Sequence, residues 1–224
     1  MITAVEIYEA FLIEIDRHES PDAQVVTFLH HWNTAVYSFI ENELSVFELT
    51  NVVTDRLRHL STQKELTVNA ASCKAPETSV LIPLDYYRLF GVKGVFEYAR
   101  DYGFKIKKGE LIYKPFRKMN ADLEGFVADN FYYAPAINRP FYRIFDNKIN
   151  FLYGQKGLLS DLIFLKTVTI SYIKHPIPLQ LSDSFLSFNS SVFPIDVNRL
   201  ILKIAVLDYM GSTGDDRVQI KSQL

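Results

Sequence analysis

Along the first sixty positions apolar residues recur at helical spacing. Val5, Tyr8, Phe11, Leu12 and Ile15 fall on one side of a helical wheel, with Glu6, Glu9 and Glu14 mostly elsewhere, which predicts a short amphipathic helix. Ser20-Pro21-Asp22 then offers an N-cap, a proline at the first helical position and an early acid at the positive end of a helix dipole. A second helix is expected from there, with the stripe Val25, Phe28, Leu29, Trp32, Val36, Phe39 and Ile40, ending near Glu43. A weaker stripe of Leu49, Val52, Val53, Arg56, Leu57 and Leu60 predicts a third, although its β-branched residues lower the propensity. Short connections make such helices antiparallel neighbours.

The period changes at about Thr67. Residues 69–79 are small and polar, carry Pro76, and predict a loop. Val80-Leu81-Ile82-Pro83 predicts a short strand ended by proline, and Leu84 to Leu89 one helical turn. Val92 to Tyr98, Phe104 to Lys107 and Glu110 to Tyr113 predict strands, the last two joined through Lys108-Gly109. Apolar residues occupy both phases of the strand-like stretch before that turn, so both of its faces call for cover, from the domain itself or from a neighbouring subunit. A second hairpin is expected from Pro140 to Tyr153 around Asp146-Asn147, with Phe141, Arg143 and Phe145 alternating against Tyr142 and Ile144, and Thr167 to Ile173 predicts a further strand. Pro194-Ile195-Asp196 opens a last helix with Val197, Leu200, Ile201, Ile204, Ala205 and Asp208 on one side, stopping at Gly211. Its apolar side suits the N-terminal helices. Ser212 to Leu224 has no stripe able to bury itself and predicts a free tail.

The expected fold class is therefore α+β: N-terminal antiparallel helices packed with a C-terminal helix, central antiparallel β hairpins and an extended C-terminal tail. The expected division is 1–66 for the N-terminal helical part, 67–193 for the antiparallel β-rich part, 194–211 for the C-terminal helix and 212–224 for the flexible tail.

Composition narrows the function classes. The chain has 224 residues, 48% of them hydrophobic and 22% charged, enough for a sizeable core and incompatible with wholesale disorder. A formal charge of −2 provides no global field for phosphate backbones, so nucleic-acid binding would need a local basic patch. The single cysteine, Cys73, can form no intrachain disulfide and no thiolate metal site, which suits a reducing compartment. The first residues lack a basic region ahead of an apolar core, and no apolar run approaches the ~20 residues that span a bilayer. Neither a standard export signal nor a membrane span is expected.

The residues with catalytic potential are few and badly spaced. No phosphate cradle of the G-x-x-x-x-G-K-[ST] type, no G-x-G-x-x-G, no H-E-x-x-H and no G-x-S-x-G occurs, so no catalytic residue, cofactor site or metal site is assigned and an enzyme is not expected. His30 and His31 are adjacent on a helix and diverge by about 100 degrees, which suits one at the edge of the buried stripe and one in water better than a shared metal. His175 has no acid or nucleophile at a recognised spacing. Asp215-Asp216 form a solvated pair rather than a pre-organised cation site, and Cys73 is an inert loop thiol. Two basic clusters stand out: Lys105, Lys107 and Lys108, then Lys114, Arg117 and Lys118. They are either a solvated sheet edge guarded against strand-to-strand aggregation or a basic rim facing an acidic partner or passing DNA. Phe116 and Tyr132-Tyr133 lie nearby, as a stacking platform for single-stranded bases would require, but with no geometry for it visible in sequence.

The order of several segments resembles a known family. Ile7-Tyr8-Glu9-Ala10-Phe11-Leu12-Ile13, then Phe28 to Glu43 with Asn33 and Tyr37, then Ile82-Pro83-Leu84-Asp85-Tyr86-Tyr87 carry the first half of the likeness. Asn138-Arg139-Pro140-Phe141-Tyr142-Arg143, Asn147-Lys148-Ile149-Asn150-Phe151, Ile170 to Pro176, the final helix and Asp216-Arg217-Val218-Gln219 carry the second. End to end, the chain resembles the head-to-tail adaptor proteins, also called neck-ring or tail-tubular proteins, of short-tailed bacteriophages, in particular crAss-like phages and related phages of Bacteroidetes hosts.

The resemblance implies a virion structural protein in the neck or tail, assembled in the host cytoplasm. It implies a homo-oligomeric ring, roughly twelvefold, contacting the portal protein on one side and the next tail or ring protein on the other, with DNA only as cargo passing through the channel and no membrane partner. It further suggests the tail as a portal-binding arm, with Arg217 for carboxylates, Val218, Ile220 and Leu224 for apolar pockets, and Gln219 between them. The alternatives are another neck or tail ring component, or a non-viral protein-interaction module without catalysis.

Overall fold

The computed structural model describes residues 3–15, 24–50, 55–68, 77–99, 101, 107–120, 134–154, 163–180 and 191–213, without the side chains of 46–50 and 77. It is α+β. The chain divides into two compact units, one of residues 1–60 with 176–224 and one of residues 61–175. The β unit is thus a single insertion into the helical one, and it begins with a strand at Ser61, ahead of the change of period at about Thr67.

Among the described residues the helical unit holds α1 (Ala4–Glu14), α2 (Val25–Thr50) and α3 (Ile195–Ser212). α1 begins in a capping box: Thr3 Oγ1 accepts from the Glu6 N–H at 3.3 Å and Glu6 Oε2 accepts from the Thr3 N–H at 2.8 Å. These bonds hold the Glu6 carboxyl below the usual range. α2 runs past the expected end at Glu43, with Leu44 extending its buried stripe and no glycine or proline to stop it. Its expected cap, Ser20-Pro21-Asp22, lies outside the described residues. Of the expected third helix, Val52 and Val53 lie outside the described residues, Leu49 belongs to α2, and Asp55–Leu57 is one 3-10 turn, with i to i+3 bonds from Arg58 N–H to Asp55 and from Leu60 N–H to Leu57. Leu57 and Leu60 are buried nonetheless.

α3 begins after Pro194, which is the N-cap rather than the first helical residue. It also continues through Gly211, where a stop was expected. The Ser212 and Thr213 hydroxyls bond the Tyr209 carbonyl at 2.7 and 3.2 Å, and Thr213 also bonds that of Met210, so hydroxyls take over the role expected of glycine. Phe11, Phe28 and Tyr209 bring aromatic edges of all three helices together at 5.2 and 5.5 Å.

Among the described residues the β unit holds two four-stranded sheets. The first has the order β1 (Ser61–Thr67), β8 (Ile163–Lys174), β3 (Tyr86–Tyr98), β4 (Leu111–Pro115), antiparallel throughout. The second has the order β2 (Glu77–Leu81), β7 (Lys148–Leu152), β6 (Phe141–Phe145), β5 (Arg117–Lys118). Its last pair is parallel, so the sheet is mixed and not wholly made of hairpins. The helical turn expected over Leu84 to Leu89 is a strand: a turn at Leu84-Asp85 closes with the Tyr86 N–H on the Pro83 carbonyl, and from Tyr86 the chain pairs with β8. The expected strand at Phe104 to Lys107 mostly lies outside the described residues. Lys107 itself is not in a strand, and the partner of β4 is β3. Gly109 takes φ +85 in that connection, a left-handed conformation that favours glycine. The β6–β7 hairpin forms where expected, with Asp146 and Asn147 both at positive φ (50° and 56°), as a two-residue turn matched to strand twist requires.

The two sheets share one core, formed by Val92, Phe96, Leu165 and Val168 of the first and Ile149 and Phe151 of the second, among others. Phe116 joins them. It carries the chain from the edge of one sheet to the edge of the other, stacks on Phe96 at 6.0 Å and meets Phe151 edge-on at 5.2 Å. Gly94 makes room for it, since a Cβ there would stand 2.4 Å from Phe116 Cε2.

Candidate interaction surfaces

The basic residues singled out from the sequence follow sheet edges. Lys107 and Lys108 lie in the turn into β4, Lys114 within β4, and Arg117 and Lys118 constitute β5. Among the described residues β4 is one of the two edge strands of the first sheet and β5 one of the two of the second. Charge on an outer strand disfavours pairing with another chain's strand. Arg117 and Lys118 are adjacent in extended backbone and so point to opposite faces, which splits the second cluster between two surfaces. Lys105 lies outside the described residues, as do Arg217, Val218, Gln219, Ile220, Leu224, Asp215-Asp216, Cys73 and Tyr132-Tyr133. Phe116 is buried in the core rather than offered as a platform.

His31 and His175 are packed against neighbouring side chains. His31 is buried and its Nδ1 lies 2.7 Å from Asp208 Oδ2 of α3, while His30 is exposed. His175 packs its ring edge-on to Tyr87 at 5.0 Å. The Tyr172 hydroxyl donates to Asp85 Oδ1 at 2.9 Å; burial and that carboxylate push the phenol up to about 12. Burial also raises Tyr86 and Tyr142. Among the described residues no group of three His, Cys, Asp or Glu is placed to hold a metal ion. No described helix is long and apolar enough to cross a membrane.

The outward faces of the two sheets differ in chemistry. On the first, Thr167, Thr169 and Ser171 of β8 turn outward together with the exposed Leu111 and Tyr113 of β4, and Glu97 is paired with Lys166 at 2.7 Å. On the second sheet Tyr142, Ile149 and Phe151 turn to the core, so their neighbours along each strand turn outward. Leu81, Lys148 and Phe145 form one cross-strand row on that outward face, and Phe141 with Arg117 form another. Leu81 is 65% exposed and Phe145 71%. Lys148 and Arg117 have no ion-pair partner among the described residues. The β6 alternation was legible in sequence; which of its two phases would face outward was not.

Compared with known protein families and with curated proteins, the chain matches none.

Proposed function

We propose that this chain is a non-catalytic ring subunit of a short-tailed bacteriophage, a head-to-tail adaptor seated between the portal vertex and the tail. The observation that carries this reading is the division of the chain into two compact units. A closed ring is built from head-to-tail contacts, in which each subunit offers two different, mutually complementary faces. The exposed Leu81, Lys148 and Phe145 suit one such face, since apolar and aromatic area with a charged rim is what protein interfaces use. The segment order described above supports the phage assignment. In this reading the N-terminal helices pack antiparallel with α3 as a platform, and the tail beyond it, with Arg217, Val218, Gln219, Ile220 and Leu224, is the arm that docks on the portal.

Mass photometry of the purified chain, alone and mixed with its cognate portal ring at moderate salt, tests the assignment. The expected result is a portal-dependent mass step equal to a fixed, roughly twelvefold number of subunits. Because Thr213 caps α3, the arm is tested by ending the chain there: loss of residues 214–224 should leave the fold intact and abolish the step. Absence of any association with the portal removes the adaptor reading and favours another neck ring or an unrelated interaction module.

A further inference from the structure

α1 buries Ala4, Ile7 and Phe11 and turns the opposite stripe outward. On that stripe Val5, expected from its spacing on the apolar side with Phe11, is instead 36% exposed, Ile13 is 58% exposed, and Glu9 lies midway between them, four residues from each. At the helical rise of ~1.5 Å per residue, Val5 and Ile13 stand about 12 Å apart along the axis and about 80° apart around it. The helix contains Glu6, Glu9 and Glu14 and no basic residue. On the second sheet the row Leu81, Lys148, Phe145 has the same order with the opposite charge, an apolar side chain on each side of a lysine. With neighbouring strands about 4.8 Å apart, its two apolar residues stand about 10 Å apart. Neither Glu9 nor Lys148 has an ion-pair partner among the described residues. The two rows therefore match in spacing and pattern and complement one another in charge, and they belong to different units of the chain.

The geometry points to self-docking between copies: the Val5-Glu9-Ile13 stripe of α1 in one copy lies on the Leu81-Lys148-Phe145 row in the next, with Glu9 against Lys148 and the apolar pairs on either side. Such a contact joins unlike surfaces, so each copy keeps one face free for a further neighbour, and repetition gives a ring or an open filament. The inference rests on the ring reading above and names the surfaces that build it. Arg117 on the same sheet face supplies further positive charge opposite the glutamates of α1.

The test is sedimentation velocity of the full chain over a concentration series at low and high salt, with Glu9→Lys, Lys148→Glu and an equimolar mixture of the two. Both side chains are exposed, so the folded state is expected to survive, as circular dichroism would verify. The wild type is expected to self-associate more strongly at low salt. Each variant alone sets like charges against one another and should associate roughly tenfold or more weakly. In the mixture each contact between unlike variants again joins opposite charges, so association should return through alternating copies. Variants that associate as the wild type does overturn the docking while leaving the ring reading intact, as does a mixture no stronger than its components. A wild type monomeric throughout also overturns the docking, and the portal experiment then decides the ring separately.

Discussion

In the helical unit, polar side chains reach between segments at several joints. His31 ties α2 to Asp208 of α3, and Asn33 of α2 binds the Leu179 backbone twice, donating to its carbonyl at 3.2 Å and accepting from its N–H at 2.9 Å. Asn198 of α3, itself buried, accepts from the Ser191 hydroxyl at 2.7 Å and donates to the Phe193 carbonyl at 3.0 Å. In the β unit the comparable joints are aromatic, with Phe96, Phe116, Phe151 and Tyr153 meeting between the sheets. Helices satisfy their backbone internally, so the irregular chain around them needs side-chain partners to be anchored. Sheets satisfy theirs by pairing, and their faces are free to be joined by shape alone. The two units should accordingly fail in different ways when a joint is removed.

The largest effect is expected at Phe116. Phe116→Ala leaves a cavity between two sheets that Gly94 has already brought close, and should cost about 3–5 kcal/mol. Urea unfolding followed by the β signal in circular dichroism measures it. The single tryptophan, Trp32, lies in the helical unit, so its emission reports that unit alone. The β signal should move to lower urea by more than the Trp32 emission does; equal displacement would show that the comparison between separate units is wrong.

A smaller loss is expected at Asn33. Asn33→Ala deprives the Leu179 N–H of its acceptor and should cost about 1–3 kcal/mol, read in the Trp32 emission one residue away. A change below a few tenths of a kcal/mol would mean that water replaces the side chain at no cost and that the polar joints do not hold the helical unit together.

The smallest effect at neutral pH belongs to Tyr172, whose hydroxyl makes a part-buried polar joint with Asp85 in the β unit. Its phenol binds its proton more tightly when folded, at about 12, than the ~10 of an unperturbed tyrosine. Below about pH 10 that contribution is fully present. As pH rises from 10 towards 12 the unfolded chain releases its proton first, so stability falls, and above 12 the contribution is gone. Tyr86 and Tyr142, raised by the same burial, act in the same direction. The urea midpoint of the β signal should therefore fall above pH 10. Tyr172→Phe should cost about 1 kcal/mol at neutral pH through the lost bond to Asp85 and flatten that alkaline fall. An unchanged alkaline slope in the variant would assign the fall to other groups.

The local rules visible in the chain determined much of this protein. The repeat of Phe28, Trp32, Val36 and Phe39 set α2 and its buried side, and Asp146-Asn147 set the β6–β7 turn, because both are written in short-range spacing and in which residues tolerate positive φ. Thr3 and Glu6 carried a capping signal as well, which was there to be seen in the Thr-x-x-Glu spacing. Where local rules compete, the tertiary structure decided. Tyr86 to Leu89 satisfies a helical turn or a strand equally well alone, and pairing with β8 chose the strand. Phe116 resembled a free aromatic beside basic residues until two sheets closed on it. In β6 the alternation offered Tyr142 and Phe145 as equals, and the core had room for the phase containing Tyr142, leaving Phe145 outside beside Lys148. Glu9 and Lys148 came to carry matching rows by the same route. Which phase of an amphipathic strand is buried, and which residues stand beside it on the neighbouring strands, depends on partners far away in the chain, and no local pattern contains that information.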